Sequence, residues 1–122
     1  MDHHLRLSDG RNLAYAEYGD PAGTTVIYFH GAPSGRLEPT LIGDDSWAAL
    51  GLRIIAPDRP GMGGSSFQSG RRLIDWGQDV MALAEHLGLT MFSLLGNSGG
   101  GPYVAACASV FPERIRTAVI VS

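Results

Sequence analysis

Four short runs of the chain are apolar at nearly every position: residues 24–31 (TTVIYFHG), 52–58 (LRIIAPD), 91–96 (MFSLLG) and 115–121 (IRTAVIV). A strand with one wet face alternates apolar and polar residues. Runs that are apolar on both faces and rich in β-branched or aromatic residues predict strands of a parallel sheet covered on both sides. Ahead of them, residues 11–19 (RNLAYAEYG) alternate well enough for a half-buried strand. Paired with HHLRL across Ser8, Asp9 and Gly10, that strand predicts an N-terminal hairpin.

Helical spacing falls between the strands. In residues 71–88 (RRLIDWGQDVMALAEHLG), Leu73, Trp76, Val80, Leu83, Ala84 and Leu87 recur on one face, Asp75 and Asp79 lie towards the start, His86 in the last turn, and Gly88 is the stop. A shorter helix is expected over residues 44–50, begun by Asp44 or Asp45. Another follows Ser98 through GGGPYVAACASVF, where Pro102 is tolerated in the first turn. Strand and helix alternating in this way predict an α/β fold with a mostly parallel, doubly wound sheet.

Composition narrows the class. The 122 residues fit one domain, and 44% hydrophobic with 17% charged residues is a globular mixture. The 17 glycines and 7 prolines punctuate the apolar runs without any period, as sharp turns between buried strands require. A net charge of -3 leaves no basic stripe for a nucleic-acid backbone. The single cysteine, Cys107, points to a reducing compartment, and no apolar run nears membrane-spanning length, so the expectation is a cytoplasmic protein with no membrane and no nucleic-acid partner.

The chemistry gathers at Gly96-Asn97-Ser98-Gly99-Gly100, which satisfies G-x-S-x-G between an apolar strand and a helix. A serine at the apex of so tight a turn adopts a strained backbone, and side chains two residues to either side would collide, hence the elbow glycines Gly96 and Gly100. Ser98 is the candidate nucleophile, set beside a helix N-terminus that favours a developing oxyanion. The Gly99 amide supplies one oxyanion donor. The second is assigned to Ala32 in YFHGAPSGR, because Pro33 has no N–H. His30 and Gly31 brace this loop, His30 being tied to loop geometry rather than free to act as the base.

Rival readings are weaker. A glycine-rich turn after a strand can cradle a pyrophosphate, but no G-x-G-x-x-G occurs and Arg116, not an acid, lies about twenty residues beyond Gly96. His3 and His4 are neighbours in a strand and face opposite sides, so no metal site is expected from them. His86 is explained by the helix dipole, Cys107 by packing among small residues, and Trp47 and Trp76 by burial. Asp58 and Arg59 read as a turn held by Gly61, Gly63 and Gly64, with Asp58 supporting a site loop.

Three motifs in order, FHGAPSGR, APDRPGMGGSS and LLGNSGGGPY, resemble the α/β-hydrolase superfamily, in particular its esterase-like and peptidase-like members with an HGxP loop and a serine elbow. The resemblance implies an α/β-hydrolase fold over nearly the whole chain. It makes Ser98 the nucleophile and Ala32 and Gly99 the oxyanion donors, places residues 58–65 at the rim, and implies an acyl substrate without cofactor or metal. Serine rather than aspartate at 98 argues against the dehalogenase and epoxide-hydrolase branches. The family's triad runs nucleophile, acid, histidine, and all four histidines here precede Ser98. The expectation is therefore that residues 1–122 are the N-terminal portion of one hydrolase domain, truncated after about the sixth strand, with acid and histidine absent. Two functions follow: a serine hydrolase of small acyl compounds, carboxylic esters first, or an inactive remnant that binds partners or itself through its last strand edge.

Overall fold

The computed structural model describes residues 2–31, 34–68, 70 and 72–121. It contains six strands: β1 (Asp2–Arg6), β2 (Asn12–Gly19), β3 (Thr24–Phe29), β4 (Leu52–Pro57), β5 (Phe92–Asn97) and β6 (Ile115–Val121). Three α-helices, α1 (Asp44–Ala49), α2 (Leu73–His86) and α3 (Gly101–Val110), connect them. The strands form one sheet in the order β1-β2-β4-β3-β5-β6. β3 pairs in parallel with β4 and β5, and β5 with β6, whereas β1-β2 and β2-β4 are antiparallel. The expected hairpin is present, closed by hydrogen bonds from Leu7 N–H to Arg11 O (2.8 Å) and from Gly10 N–H to Leu7 O (2.9 Å).

Alternation along each strand divides the core between the two faces. Leu13, Ile27, Phe29, Ile55, Phe92 and Leu94 pack with Trp76, Val80 and Leu83 of α2 and with Val104 and Cys107 of α3. Ala16, Tyr18, Tyr28, Ile54 and Ala56 face Trp47 of α1 on the other side. Each large side chain fully buried contributes roughly 1.5–3 kcal/mol, so the Trp76 stripe is what holds α2 to the sheet. Both tryptophans are buried as expected, and Cys107 is fully so. Leu73 departs from the expected stripe and is exposed, because it sits in the first turn beyond the sheet.

α1 begins at Asp44, as expected. Gly43, at φ 100°, precedes the helix, and Asp44 and Asp45 occupy its first turn. Asp44 Oδ1 accepts the Gly19 N–H at 2.8 Å, which ties the helix to the end of β2. β6 lies at the edge of the sheet, with Val119, Ile120 and Val121 exposed. Among the described residues, no helix is long and apolar enough to cross a membrane.

Candidate active site

The turn from β5 into α3 is as tight as the glycine spacing demands. Asn97 is still extended at φ -103°, Ser98 turns to φ 51°, and a single 3-10 turn over Ser98–Gly100 leads into α3. Ser98 is the one non-glycine residue with positive φ among those described. A left-handed serine costs about 1–2 kcal/mol, which the surrounding packing must hold in place. A Cβ on Gly96 would stand 2.6 Å from Val104 Cγ2 and 2.7 Å from Gly100 O. One on Gly100 would overlap the Phe29 carbonyl oxygen and lie 3.0 Å from His30 O. The two elbow glycines thus let α3 and the end of β3 close around the turn, and Ser98 itself is exposed. The first amides of the turn, Gly99 among them, have no acceptor within the helix and point out at its positive end.

The loop after β3 lies against this elbow. A Cβ on Gly31 would be 3.5 Å from Ser98 Cβ and 3.4 Å from Asn97 O, so the Gly31 backbone and the serine are in contact range. His30 is buried, with Nδ1 2.7 Å from Gly31 O and Nε2 accepting the Arg59 N–H at 3.2 Å. A carbonyl only accepts, so the proton is on Nδ1 and the ring is neutral. Burial lowers its pKa from the usual histidine value, helped by the Arg59 charge. Both ring nitrogens are engaged. Ala32, the expected second oxyanion donor, lies outside the described residues.

Asp58 organises the next loop. Fully buried, it accepts the Arg36 N–H at 2.5 Å, Arg36 Nη1 at 2.8 Å and the Gly64 N–H at 2.9 Å. A Cβ on Gly35 would reach 2.8 Å from Asp58 Oδ1, and one on Gly63 would overlap the carboxylate. Glycines therefore wrap the carboxylate in backbone, and Asp58 holds the loop through Arg36 and Gly64. Arg59 stacks on Tyr103 of α3, 4.4 Å from ring centre to guanidinium carbon. That contact fastens the same loop to the helix that follows the elbow.

A fourth group joins these segments. Glu38 Oε1 accepts the Tyr28 hydroxyl and the Asn97 side-chain amide, each at 2.8 Å, and Oε2 accepts the Gly31 N–H at 3.1 Å. Burial alone would raise its pKa, but hydrogen bonds from Ser34, Asn97, Tyr28 and Gly31 outweigh it and hold the carboxyl below the usual glutamate value. Burial and this same carboxylate push the Tyr28 hydroxyl well above its ordinary value. The residue stands seven positions after Gly31 in an unremarkable stretch, and only the fold brings its partners together.

The remaining histidines are remote. β1 is four strands from β5, roughly 19 Å at the usual strand spacing, and it carries His3, stacked on Tyr15, and His4, 3.0 Å from Asn12 Nδ2. His86 is exposed at the end of α2, which leads to the opposite end of β5 from Ser98. Among the described residues, no group of three His, Cys, Asp or Glu side chains could hold a metal ion.

Comparison with known proteins gives the family and the fold. A family model described as alpha/beta hydrolase fold matches residues 24–122. The chain is 36% identical over 127 residues to a non-heme chloroperoxidase of Streptomyces lividans, covering 97% of this chain and 43% of that protein. It is 27% identical to a bifunctional esterase/perhydrolase of Acinetobacter calcoaceticus, covering 98% and 44%. The solved structure of a probable hydrolytic enzyme from Pseudomonas aeruginosa superposes with a TM-score of 0.86 at 26% identity, covering 98% of this chain and 40% of that one. The chain thus spans less than half the length of these relatives.

Proposed function

The chain belongs to the alpha/beta hydrolase fold family, and from that premise we propose that it carries the nucleophile and oxyanion half of a serine hydrolase for small acyl substrates, carboxylic esters first. The observation that carries the reading is Ser98 at φ 51°, exposed, between two glycines whose Cβ positions are filled by neighbouring backbone or side chain. A residue held in that conformation at a loss of stability is expected where chemistry requires it.

Ser98 Oγ attacks the substrate carbonyl and gives its proton to a general base, forming a tetrahedral intermediate. Its oxyanion accepts hydrogen bonds from the Gly99 and Ala32 amides. The Gly31 amide is already committed to Glu38, which leaves the oxyanion to its neighbour. Collapse expels the alcohol, protonated by the same base, and water then attacks the acyl-serine to release acid and free Ser98. His30 is an unsuitable base, since its ring is buried with both nitrogens bonded. The base and its acid partner come, on this reading, from polypeptide outside these 122 residues or from another chain, and the chain spans less than half the length of its relatives.

The test is intact mass after incubation with a fluorophosphonate, in the full polypeptide that carries these residues. One adduct that Ser98→Ala abolishes is expected. A folded protein that takes no adduct refutes the reading.

A further inference from the structure

We propose that Glu38 is a positioning residue of the site, whose single carboxylate fixes the loop bearing the second oxyanion donor against the turn bearing the nucleophile. The inference rests on the serine-hydrolase reading and extends it to a residue outside every motif.

Glu38 begins a short 3-10 turn, Glu38–Leu41, which is anchored independently of the site. Trp47 Nε1 of α1 donates to Pro39 O at 3.0 Å, and Pro39 is buried. From that anchor the side chain reaches the open ends of β3 and β5, where Phe29 is paired with Gly96. Tyr28 and Asn97 project on the α1 side of the sheet at this edge. Glu38 takes the Tyr28 hydroxyl and the Asn97 amide on Oε1 and the Gly31 N–H on Oε2. Gly31 directly precedes Ala32, and Asn97 directly precedes Ser98. One group therefore holds the residue before each of the two positions that must converge on an oxyanion.

The donor set also says what Glu38 does not do. A carboxylate offers about four acceptor sites. The Ser34 side chain also hydrogen-bonds to Glu38, so four groups supply donors and no site is left for a substrate proton or a metal ion. Its role is to act through Gly31 and Asn97. Registration of this kind governs the transition state more than substrate binding, because a misplacement of about 1 Å can cost on the order of 100-fold in rate.

Glu38→Gln keeps the size but replaces one acceptor oxygen with an NH2, and since the Gly31 N–H and the Asn97 side-chain NH2 can only donate, one of these two bonds is lost whichever way the amide turns. In the full polypeptide, kcat for a small activated ester is expected to fall about 10- to 100-fold, with KM within about twofold, and Ser98 phosphonylation to slow in parallel. Glu38→Asp, which keeps the charge with a shorter reach, should recover part of the loss. Asn97→Ala cuts the same link from the other side and serves if Glu38→Gln does not fold. The double variant should lose no more than the worse single one, since both remove one coupling. Full kcat in a folded Glu38→Gln protein, or losses that multiply in the double variant, would overturn the proposal. A wild type that takes no phosphonate at Ser98 would instead remove the hydrolase reading, and this one with it.

Discussion

Two adjacent glycines give a sharp test of why the elbow is built as it is. Gly100 has φ -77° and ψ -16°, a conformation any residue adopts, so Gly100→Ala meets no backbone strain. Its Cβ would instead overlap the Phe29 carbonyl oxygen and stand 2.9 Å from Phe29 C and 3.0 Å from His30 O. These are backbone atoms of β3 and the residue after it, and β3 is held between β4 and β5. Overpacking costs about 1–3 kcal/mol, and an obstacle made of sheet backbone places this case at the upper end. Against that stands a gain of about 0.4–1 kcal/mol from the stiffer unfolded chain. The net expectation is a loss of about 2 kcal/mol, which lowers the urea midpoint by about 1 M. Gly101 is the control. At φ -56° and ψ -51°, its Cβ would stand 2.8 Å from Ile120 Cγ2, a side-chain methyl of the edge strand rather than backbone in the middle of the sheet. There the alanine gains up to about 1 kcal/mol in helix propensity against the shift of that methyl, so Gly101→Ala should cost clearly less than Gly100→Ala. Urea unfolding followed by circular dichroism measures both, and Ser98 phosphonylation reports whether the turn has shifted. Equal losses at the two positions would refute the steric argument, as would a Gly100→Ala protein as stable and reactive as wild type.

Other consequences are open to direct measurement. Ser98→Gly relieves the left-handed backbone at 98 and should gain up to about 1 kcal/mol in unfolding free energy while abolishing phosphonylation; no gain would mean that φ 51° carries no strain. Asp58→Ala leaves the Arg36 and Gly64 backbone amides without their buried acceptor, while the Arg36 guanidinium keeps Asp2, and should cost about 2–3 kcal/mol in denaturant unfolding, whereas a loss under about 1 kcal/mol would contradict the buried network. Burial pushes the Cys107 thiol up to about 12, so between pH 7 and 10 the native protein presents a neutral, covered thiol. Iodoacetamide should leave it unmodified until urea unfolds the chain, and mass spectrometry showing rapid native alkylation would refute this.

How much of this was legible in the sequence depended on how local each constraint is. The elbow was, because its requirement is steric and spans five consecutive residues: Gly96, Ser98 and Gly100 need no distant partner to be recognised. The strands were legible from their apolar runs, and α2 from the spacing of Trp76, Val80, Leu83 and Ala84. Strand order was not, since nothing within residues 52–57 says that β4 slips between β2 and β3; that follows from which edges remain free once the hairpin and the crossovers are in place. The start of α1 at Asp44 was legible, but the partner of its side chain was not, since only the fold brings the Gly19 N–H to Asp44 Oδ1.

Glu38 is the extreme case of the same rule. Its partners are residues 28, 31 and 97, so the network closes only after β3, β5 and α1 have packed, and each partner taken alone looks ordinary. The glycines around Asp58 work similarly: Gly35 and Gly63 are far apart in sequence and are required by one carboxylate between them. In this fold the candidate nucleophile is marked locally by the backbone it needs. The groups that hold it in register are dispersed along the chain, and only distances identify them.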